Sequence, residues 1–433
     1  MYRLSRPPGK IAGQIDLIGS KSISNRALII RALADEPFEI EHLAEAKDTQ
    51  QLRALLASDG EVLDAGPAGT TYRFMTAYLC TRPGSQVLTG SERMLQRPIG
   101  ILVDALRVLG ADIEYLGEEG YPPLRIGYRP LNRTSQISID GGTSSQFISA
   151  LLLIAPTLPN GLTLDIEGKL VSKPYVDMTL ALMRRYGIDW KWTENAQAIV
   201  VNKGTFAGGN LYVEADWSAA SYYYAIAAIA EEADLFIGGL REDSLQGDSA
   251  LAKIYEKFGI ETVFEADGIH LRKPAWRVHA DRSAKTKSDN EKNLPPAMIE
   301  QDFLLCPDIA QTISVTCAAL GTQGLFSGLE TLRIKETDRI AALQAELAKV
   351  GVFLSKLPPR LTGKSEKTYY LQEGHAQFDA VPRFDTYHDH RMAMAFAPLA
   401  MLGEIEIEDP MVVVKSYPRF YEDLSKLGFV ISS

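Results

Sequence analysis

The chain has 433 residues, 46% of them hydrophobic and 23% charged, and its formal net charge is −10. This length predicts two or three domains, and the composition excludes a disordered chain. The acidic balance argues against nucleic acid or an anionic membrane as a partner. The three cysteines include no CxxC pair, so we expect reduced thiols and no structural zinc. We also expect a cytoplasmic protein, because the sequence shows neither a signal peptide nor an apolar run of membrane-spanning length.

Two kinds of helix alternate along the chain. In the first kind, a polar or glycine-containing turn opens a helix that is apolar nearly all round, which is typical of a buried helix. These segments are 19–34, 69–80, 141–155, 215–230, 306–320 and 387–401. The second kind is amphipathic and ends at glycine before a strand-like segment. These segments are 48–63, 97–113, 172–190, 244–262, 335–354 and 416–431. The alternation predicts an α/β fold.

The repeats predict two similar globules with three repeats each. We place one globule at residues 20–237 and the other at residues 1–19 together with 238–433, with "IGGLREDS" (237–244) as the crossover. The first strand is predicted to pair within the second globule. Residues 280–293 are polar, carry mixed charge and contain no large apolar side chain, so we predict a solvated loop there.

The start of the first helix, "GSKSISNRAL" (19–28), carries an unusual charge pattern. Serine and asparagine suit a helix start because they cap free N–H groups. Lys21 and Arg26 do not, because the positive end of the helix dipole repels cations. A bound anion would make the arrangement favourable. The alternative is a capped helix with solvated charges.

Basic, hydroxyl and amide side chains recur at the other helix starts. They are Arg73, Arg97, Ser144, Ser145, Gln146, Ser172, Lys173, Tyr175, Lys335, Arg339, Arg391 and Lys415. Each alone is common on surface helices, but together they indicate a substrate with several anionic groups. Lys335 and Arg339 are four residues apart and are predicted to share one helix face.

Two carboxylates and two histidines lie among these positions. Asp308 is interpreted as a helix N-cap or as a proton-transfer group. Glu336 is interpreted either as an acid in a first helical turn or as a second proton-transfer group. His388 and His390 have no third histidine or cysteine nearby, which favours a structural role over metal binding.

Seven motifs occur in order along nearly the whole chain: "GSKSISNRAL", "GTTYR", "RPIG", "SSQF", "SKPY", "KETDR" and "DHRMAM". Together they resemble the signatures of the 5-enolpyruvylshikimate-3-phosphate synthase family of enolpyruvyl transferases. The resemblance implies two globules, each of three repeated α/β units in an inside-out α/β barrel, with the active site in the cleft between them. It also implies transfer of the enolpyruvyl group of phosphoenolpyruvate to the 5-hydroxyl of shikimate 3-phosphate, in the pathway to chorismate and the aromatic amino acids.

The resemblance also implies a set of site residues. Shikimate 3-phosphate would contact Lys21, Ser22, Arg26, Ser144, Ser145, Gln146, Ser172, Tyr175, Asp308 and Lys335. Phosphoenolpyruvate would contact Lys21, Gly69, Arg97, Gln146, Arg339, Arg391 and Lys415. Asp308 is the candidate base and Glu336 the candidate proton donor, with Lys21 assisting, in an addition–elimination through a tetrahedral intermediate. No metal, cofactor or covalent adduct is expected, and we expect a monomer that acts on these two small molecules. Pro67 and Thr331 stand where the family often has asparagine.

Three alternatives differ from this interpretation in testable ways. UDP-N-acetylglucosamine enolpyruvyl transferases have a cysteine in the loop before their counterpart of "RPIG", whereas "TGSERMLQRPIG" has none. An RNA-end-processing or RNA-binding protein of related repeats is disfavoured by the acidic charge. An anion-binding module without catalysis is disfavoured by the presence of both Asp308 and Glu336.

Overall fold

The computed structural model describes residues 1–274, 295–361 and 367–433, so the segment 280–293 lies outside the described residues. The α-helices are α1 (Lys21–Leu33), α2 (Lys47–Leu56), α3 (Gly69–Leu79), α4 (Glu92–Leu95), α5 (Gly100–Leu109), α6 (Ser145–Ile154), α7 (Lys173–Arg185), α8 (Trp217–Ile229), α9 (Leu251–Tyr255), α10 (Ala310–Leu320), α11 (Arg339–Ala348), α12 (His390–Phe396) and α13 (Phe420–Lys426). The strands are β1 (Tyr2–Ser5), β2 (Ile11–Asp16), β3 (Ile40–Glu41), β4 (Val62–Asp64), β5 (Ser85–Thr89), β6 (Asp112–Tyr115), β7 (Leu124–Gly127), β8 (Gln136–Asp140), β9 (Leu162–Glu167), β10 (Trp190–Trp192), β11 (Ala198–Val201), β12 (Leu211–Tyr212), β13 (Ala233–Gly238), β14 (Glu261–Glu265), β15 (Gly268–Lys273), β16 (Met298–Asp302), β17 (Gln323–Ser327), β18 (Phe353–Lys356), β19 (Tyr369–Glu373), β20 (Arg383–Phe384), β21 (Ile405–Ile407) and β22 (Val430–Ser432).

The chain divides into two compact units, each with its own apolar core. Residues 19–214 form one (the 19–214 unit), and residues 1–18 with 215–433 form the other (the C-terminal unit). The predicted boundary at residue 237 is therefore wrong. Helix α8 packs against α10 and β13, and its buried tyrosines belong to the core of the C-terminal unit. With α8 placed there, each unit has three of the six buried helices.

One topology recurs in both units. A first strand pairs in parallel with a second, and a further strand lies antiparallel between the second and the third; this is the fourth strand in chain order, except in the sheet where β1 takes its place. This gives the orders β4-β5-β7-β6 and β8-β9-β11-β10 in the 19–214 unit, where β12 and β3 form a separate parallel pair. The C-terminal unit has the orders β2-β13-β15-β14, β16-β17-β19-β18 and β20-β21-β1-β22. Strand β1 thus pairs in the C-terminal unit, which confirms that prediction.

The buried helices have the character predicted from their sequences. In α3, α6, α8, α10 and α12 almost every residue is buried, because none of them has a continuous polar face. Amphipathic α5 ends, as expected, at a glycine in the left-handed conformation, Gly110 (φ 119°). The amphipathic segment at 244–262 is less regular than predicted, because α9 is flanked by two short 3₁₀ turns. Among the described residues, no helix combines the length and apolar character needed to cross a membrane.

Candidate active site

The N-terminus of α1 places Lys21 beside a carboxylate. Ser20 caps the helix, with its Oγ accepting the N–H of Ile23 at 3.5 Å. Lys21 is the first helical residue, and its Nζ lies 3.3 Å from Oδ2 of Asp48 in the first turn of α2. Ser22 follows and is partly exposed. Asp48 therefore positions Lys21, although it was not among the predicted site residues.

Arg26 is buried in the 19–214 unit and is bound by neutral groups. Its Nε donates to Oγ1 of Thr179 at 2.7 Å, and its Nη2 donates to Oγ of Ser149 at 3.1 Å. It also donates to the backbone carbonyls of Ser22 (2.9 Å) and Tyr175 (3.1 Å). Burial lowers the pKa of this guanidinium to about 10. The side chain therefore ties the start of α1 to the start of α7, and both starts carry predicted ligands.

The N-terminus of α3 lies directly against Arg97. A Cβ placed on Gly69 would lie 2.6 Å from Nη1 and 2.8 Å from Nη2 of Arg97, so a larger residue would displace the guanidinium from this position. The Nε of Arg97 is buried and has no hydrogen-bond partner among the described residues. Arg73 donates to the carbonyls of Gly69 (3.0 Å) and Pro98 (3.2 Å), which fixes the "RPIG" turn relative to α3.

Helices α6 and α7 bring further predicted ligands into the 19–214 unit. Ser144 caps α6, with its Oγ accepting the N–H of Gln146 at 3.3 Å, and Ser145 is the first helical residue. Nε2 of Gln146 donates to Oγ1 of Thr70 in α3 at 3.0 Å. Buried Ser172 precedes α7 with φ 52°, a left-handed conformation that costs a non-glycine residue about 1–3 kcal/mol. These contacts gather helix N-termini, whose partial positive charge suits an anion.

The C-terminal unit contains a dense cluster centred on Arg339, the first residue of α11. Arg339 is 1% exposed. Its Nε lies 2.7 Å from Oδ2 of Asp389, its Nη1 3.1 Å from Oδ1 of Asp308, and its Nη2 2.9 Å from Oε2 of Glu336. Burial alone would lower the pKa of Arg339, but these three carboxylates raise it above its usual value. One guanidinium therefore holds both candidate proton-transfer groups.

Three further cations complete this cluster. Nη2 of Arg391 lies 3.1 Å from Oδ2 of Asp308, and Nζ of Lys335 lies 3.5 Å from Oδ1 of the same carboxylate. Nζ of Lys415 lies 2.7 Å from Oε1 of Glu336. Burial lowers the pKa of Lys335, and Asp308 partly offsets that effect. The structure thus brings together all six predicted site residues of the C-terminal unit.

The N-cap interpretation of Asp308 and the first-turn interpretation of Glu336 are both wrong. Asp308 lies inside the short 3₁₀ turn Pro307–Ile309 and is not its N-cap. Glu336 precedes α11, whose N-cap is Asp338. The predicted shared helix face of Lys335 and Arg339 is also wrong, because Lys335 has an extended backbone before α11 begins.

Two buried aspartates of the C-terminal unit have contacts that no motif in the sequence indicates. Asp389 caps α12, accepting the N–H of Arg391 at 2.9 Å, and it also binds Arg339. Its position directly before a buried helix was the available signal. Asp248 accepts a hydrogen bond from Ser218, and Nη2 of Arg391 donates to the same hydroxyl at 3.4 Å. Burial, together with the charge of Asp308, raises the pKa of Asp248 to about 7.

The two histidines of "HDHR" have different surroundings. The side chain of His388 is 91% exposed and its Nδ1 lies 3.1 Å from Oδ2 of Asp409, whereas His390 is buried. No group of three or more His, Cys, Asp or Glu residues suited to a metal ion occurs in residues 1–274, 295–361 and 367–433.

Comparison with known proteins identifies relatives over the full length. A family model described as EPSP synthase (3-phosphoshikimate 1-carboxyvinyltransferase) matches residues 5–58 and 52–424. A 3-phosphoshikimate 1-carboxyvinyltransferase of Bacteroides fragilis is 44% identical over 432 residues, which cover 100% of this chain and 99% of the relative. Proteins of the same name from Vibrio atlanticus and Colwellia psychrerythraea are 35% and 36% identical, and each match covers 98% of both chains.

Solved structures show the same fold. The structure of EPSP synthase from Acinetobacter baumannii matches with a TM-score of 0.73 and 22% sequence identity, and the match covers 100% of both chains. This likeness confirms the predicted fold class. With the family model spanning nearly the whole sequence and full-length relatives at up to 44% identity, the chain belongs to the EPSP synthase family.

Proposed function

We propose that this chain transfers the enolpyruvyl group of phosphoenolpyruvate to the 5-hydroxyl of shikimate 3-phosphate and releases phosphate. The observation that carries the proposal is the cluster in which Arg339 binds both Asp308 and Glu336 among three further cations. Two carboxylates held at fixed positions can exchange protons with a substrate, and the surrounding cations suit its anionic groups. The names of the full-length relatives support the same reaction.

Shikimate 3-phosphate is assigned to the helix starts of the 19–214 unit and to two residues of the C-terminal unit. Its phosphate would accept hydrogen bonds at the starts of α6 and α7, where N–H groups and serine hydroxyls face an anion favourably. The assigned side chains are Lys21, Ser22, Arg26, Ser144, Ser145, Gln146, Ser172, Tyr175, Asp308 and Lys335. The hydroxyl of Thr331, which replaces a common asparagine, has no hydrogen-bond partner among the described residues and can accept one from this substrate or donate one to it.

Phosphoenolpyruvate is assigned to cations that neighbouring residues position. Its carboxylate and phosphate require several positive charges, and charge-assisted hydrogen bonds are about twice as strong as neutral ones. Arg97 lies against the α3 terminus because Gly69 leaves it room. Arg339, Arg391 and Lys415 are oriented by carboxylates. Lys21 and Gln146 complete the assignment.

The addition and the elimination each involve two proton transfers. Asp308 takes the 5-hydroxyl proton as that oxygen bonds to C2 of phosphoenolpyruvate, and protonated Glu336 delivers a proton to the methylene carbon. In the resulting tetrahedral intermediate the C2–phosphate oxygen bond breaks, the methyl group returns a proton to Glu336, and phosphate leaves with the proton from Asp308. Lys21 and the other cations stabilise the phosphate charges. Because Arg339 contacts both carboxylates, their protonation is coupled.

Action as a cytoplasmic monomer on two small molecules, without metal or cofactor, is part of the proposal. The test is phosphate release by the purified chain with phosphoenolpyruvate and either shikimate 3-phosphate or UDP-N-acetylglucosamine. We expect release only with shikimate 3-phosphate, unchanged by a metal chelator and abolished or nearly so in Asp308→Asn. Turnover of the UDP-sugar, or loss of activity in chelator, would contradict the proposal.

A further inference from the structure

Helix α11 carries a second buried charged residue two turns after Arg339. Glu346 is seven residues further along the same helix, which places both side chains on one helix face. Glu346 is 1% exposed, although an amphipathic helix normally keeps glutamate on its polar face. A buried carboxylate requires hydrogen-bond donors, and the identity of those donors shows what the residue holds.

The donors to Glu346 come mainly from the segment that precedes α12. Oε1 accepts the hydroxyl of Tyr387 at 2.7 Å, and Oε2 accepts the backbone N–H of Asp385 at 3.0 Å. Oε2 also accepts Nζ of Lys349 at 2.6 Å, and that lysine donates to the carbonyl of Arg383 at 2.8 Å. The end of α11 is therefore tied to residues 383–387 by one carboxylate and its partner lysine.

The segment that Glu346 holds is strained. Residues 385–388, here named the 385–388 turn, contain two consecutive non-glycine residues in the left-handed region, Tyr387 (φ 51°) and His388 (φ 56°). Such conformations persist only where surrounding contacts enforce them. Within the turn, Oδ1 of Asp385 accepts the N–H of Tyr387 at 2.7 Å, and the carbonyl of Thr386 accepts the N–H of Asp389 at 2.8 Å.

The turn leads directly into the charged cluster. Asp389, the next residue, binds Arg339 through both carboxylate oxygens and caps α12 at the N–H of Arg391. Asp389 thus links the two arginines that the proposed function assigns to phosphoenolpyruvate. Displacement of the 385–388 turn would shift Asp389 and, through it, both guanidinium groups.

We propose that Glu346 is a positioning residue for the phosphoenolpyruvate site, which acts by holding the 385–388 turn and hence Asp389, Arg339 and Arg391. The inference rests on the proposed function. Helix α11 would then have two functional residues on one face. Its first residue, Arg339, belongs to the charged cluster, and Glu346 fixes the turn that precedes Asp389. Substitution of a residue with a purely structural role would lower the free energy of unfolding without changing the KM for one substrate more than the KM for the other.

The experiment compares steady-state kinetics of the full chain with those of two variants and a matched control. Tyr387→Phe removes only the hydroxyl that reaches Glu346. Glu346→Gln places an amide NH₂ where Oε1 or Oε2 accepts its donors. The control, Tyr224→Phe, deletes the hydroxyl of another tyrosine in the same unit, which is hydrogen-bonded to Thr262 at 2.9 Å rather than to Glu346.

We expect Tyr387→Phe to raise the KM for phosphoenolpyruvate about 5-fold, because the displaced guanidinium groups would lose the equivalent of one hydrogen bond to that substrate, while the KM for shikimate 3-phosphate stays within about 2-fold. Glu346→Gln should raise the KM for phosphoenolpyruvate further. The double variant should differ little from Glu346→Gln, because both substitutions break the same contact between Glu346 and the 385–388 turn. Tyr224→Phe should leave both KM values within about 2-fold of the unmodified chain.

The outcomes separate this inference from the proposed function. An unmodified chain without turnover would overturn the proposed function and the inference with it. Turnover by the unmodified chain with an unchanged KM for phosphoenolpyruvate in Tyr387→Phe would overturn the inference alone, whether or not Glu346→Gln folds. Equal rises in both KM values would also overturn it, since they would indicate general loosening of the fold.

Discussion

Two buried arginines, one in each unit, have opposite electrostatic settings. Arg26 in the 19–214 unit is 2% exposed and Arg339 in the C-terminal unit is 1% exposed. Burial lowers the pKa of Arg26 to about 10, whereas three carboxylates raise that of Arg339 despite the same burial. The described hydrogen bonds of Arg26 are with hydroxyls and carbonyls, whereas Arg339 binds the carboxylates of Asp308, Glu336 and Asp389.

Under the proposed function, this difference would divide substrate capture and proton transfer between the two units. A buried cation surrounded by neutral groups gains most when an anion arrives, so the 19–214 unit is suited to capture a phosphorylated substrate. A buried cation that already has carboxylate partners gains less from an anion but fixes those carboxylates in place. The C-terminal unit is therefore suited to the proton transfer that we propose, because its cluster fixes the positions of Asp308 and Glu336.

The contrast between Arg26 and Arg339 predicts different losses in the free energy of unfolding, which is the largest effect that we expect. Arg339→Met leaves Asp389 buried without its guanidinium, and breaking a buried ion pair in this way costs about 3–5 kcal/mol. Arg26→Met leaves only neutral acceptors and should cost about 1–3 kcal/mol. Urea unfolding of both variants measures the difference. Equal losses, or a larger loss in Arg26→Met, would show that the carboxylates do not distinguish the two sites.

The next effect concerns catalysis in the C-terminal unit. Asp308→Asn and Glu336→Gln keep the shape of each side chain but remove its capacity to exchange a proton. Loss of a positioned general acid or base lowers kcat by about 10²-fold or more. Initial rates at saturating concentrations of both substrates measure this loss.

Asp338→Asn is the matched control for those carboxylate variants. Asp338 caps α11, its Oδ1 accepting the N–H groups of Ile340 and Ala341, and asparagine caps a helix equally well. We expect kcat to remain within about 2-fold in this control. If Asp308→Asn or Glu336→Gln behaved like it, that carboxylate would have no role in proton transfer.

Much of the fold could be predicted because its signals are local. The six buried helices follow from segments without a polar face, and the polar residues at their starts are visible in the sequence. The boundary between the units could not be predicted, since β2 pairs with β13 and β12 with β3, and such pairings between distant segments leave no local pattern. The division of the repeats at "IGGLREDS" was therefore misinterpreted as the crossover.

The site could be predicted only in part, for a related reason. Motifs supplied the residues that carry the chemistry, but not the groups that hold them. Thr179 and Asp48 bind Arg26 and Lys21 from other helices, and nothing in their own segments indicates it. Asp248 lies in an ordinary amphipathic segment, and only tertiary packing buries it near Asp308.

Asp248 provides a smaller, pH-dependent test in the C-terminal unit. Its folded-state pKa of about 7 exceeds the usual 3.8, so between these values the folded chain holds a proton that the unfolded chain has lost. Stability from this group therefore falls as pH rises through that window and is constant above it. Asp248→Asn cannot lose a proton and should gain about 1–2 kcal/mol relative to the unmodified chain between pH 5 and pH 7. Urea unfolding across pH measures the gain, and a constant difference would contradict the assignment.

The smallest expected effect tests the 19–214 unit, where space rather than a carboxylate positions Arg97. In Gly69→Ala the new Cβ would lie 2.6 Å from Nη1 of Arg97, and the flexible guanidinium must move because the backbone of α3 cannot. A displaced charge-assisted hydrogen bond should weaken phosphoenolpyruvate binding about 3- to 10-fold, with stability and shikimate 3-phosphate affinity nearly unchanged. Gly208→Ala is the control, because its Cβ would meet no atom closer than 3.7 Å. Calorimetric titration of both variants with phosphoenolpyruvate measures the difference. Equal affinities of Gly69→Ala and Gly208→Ala for phosphoenolpyruvate would mean that Arg97 is not one of its ligands.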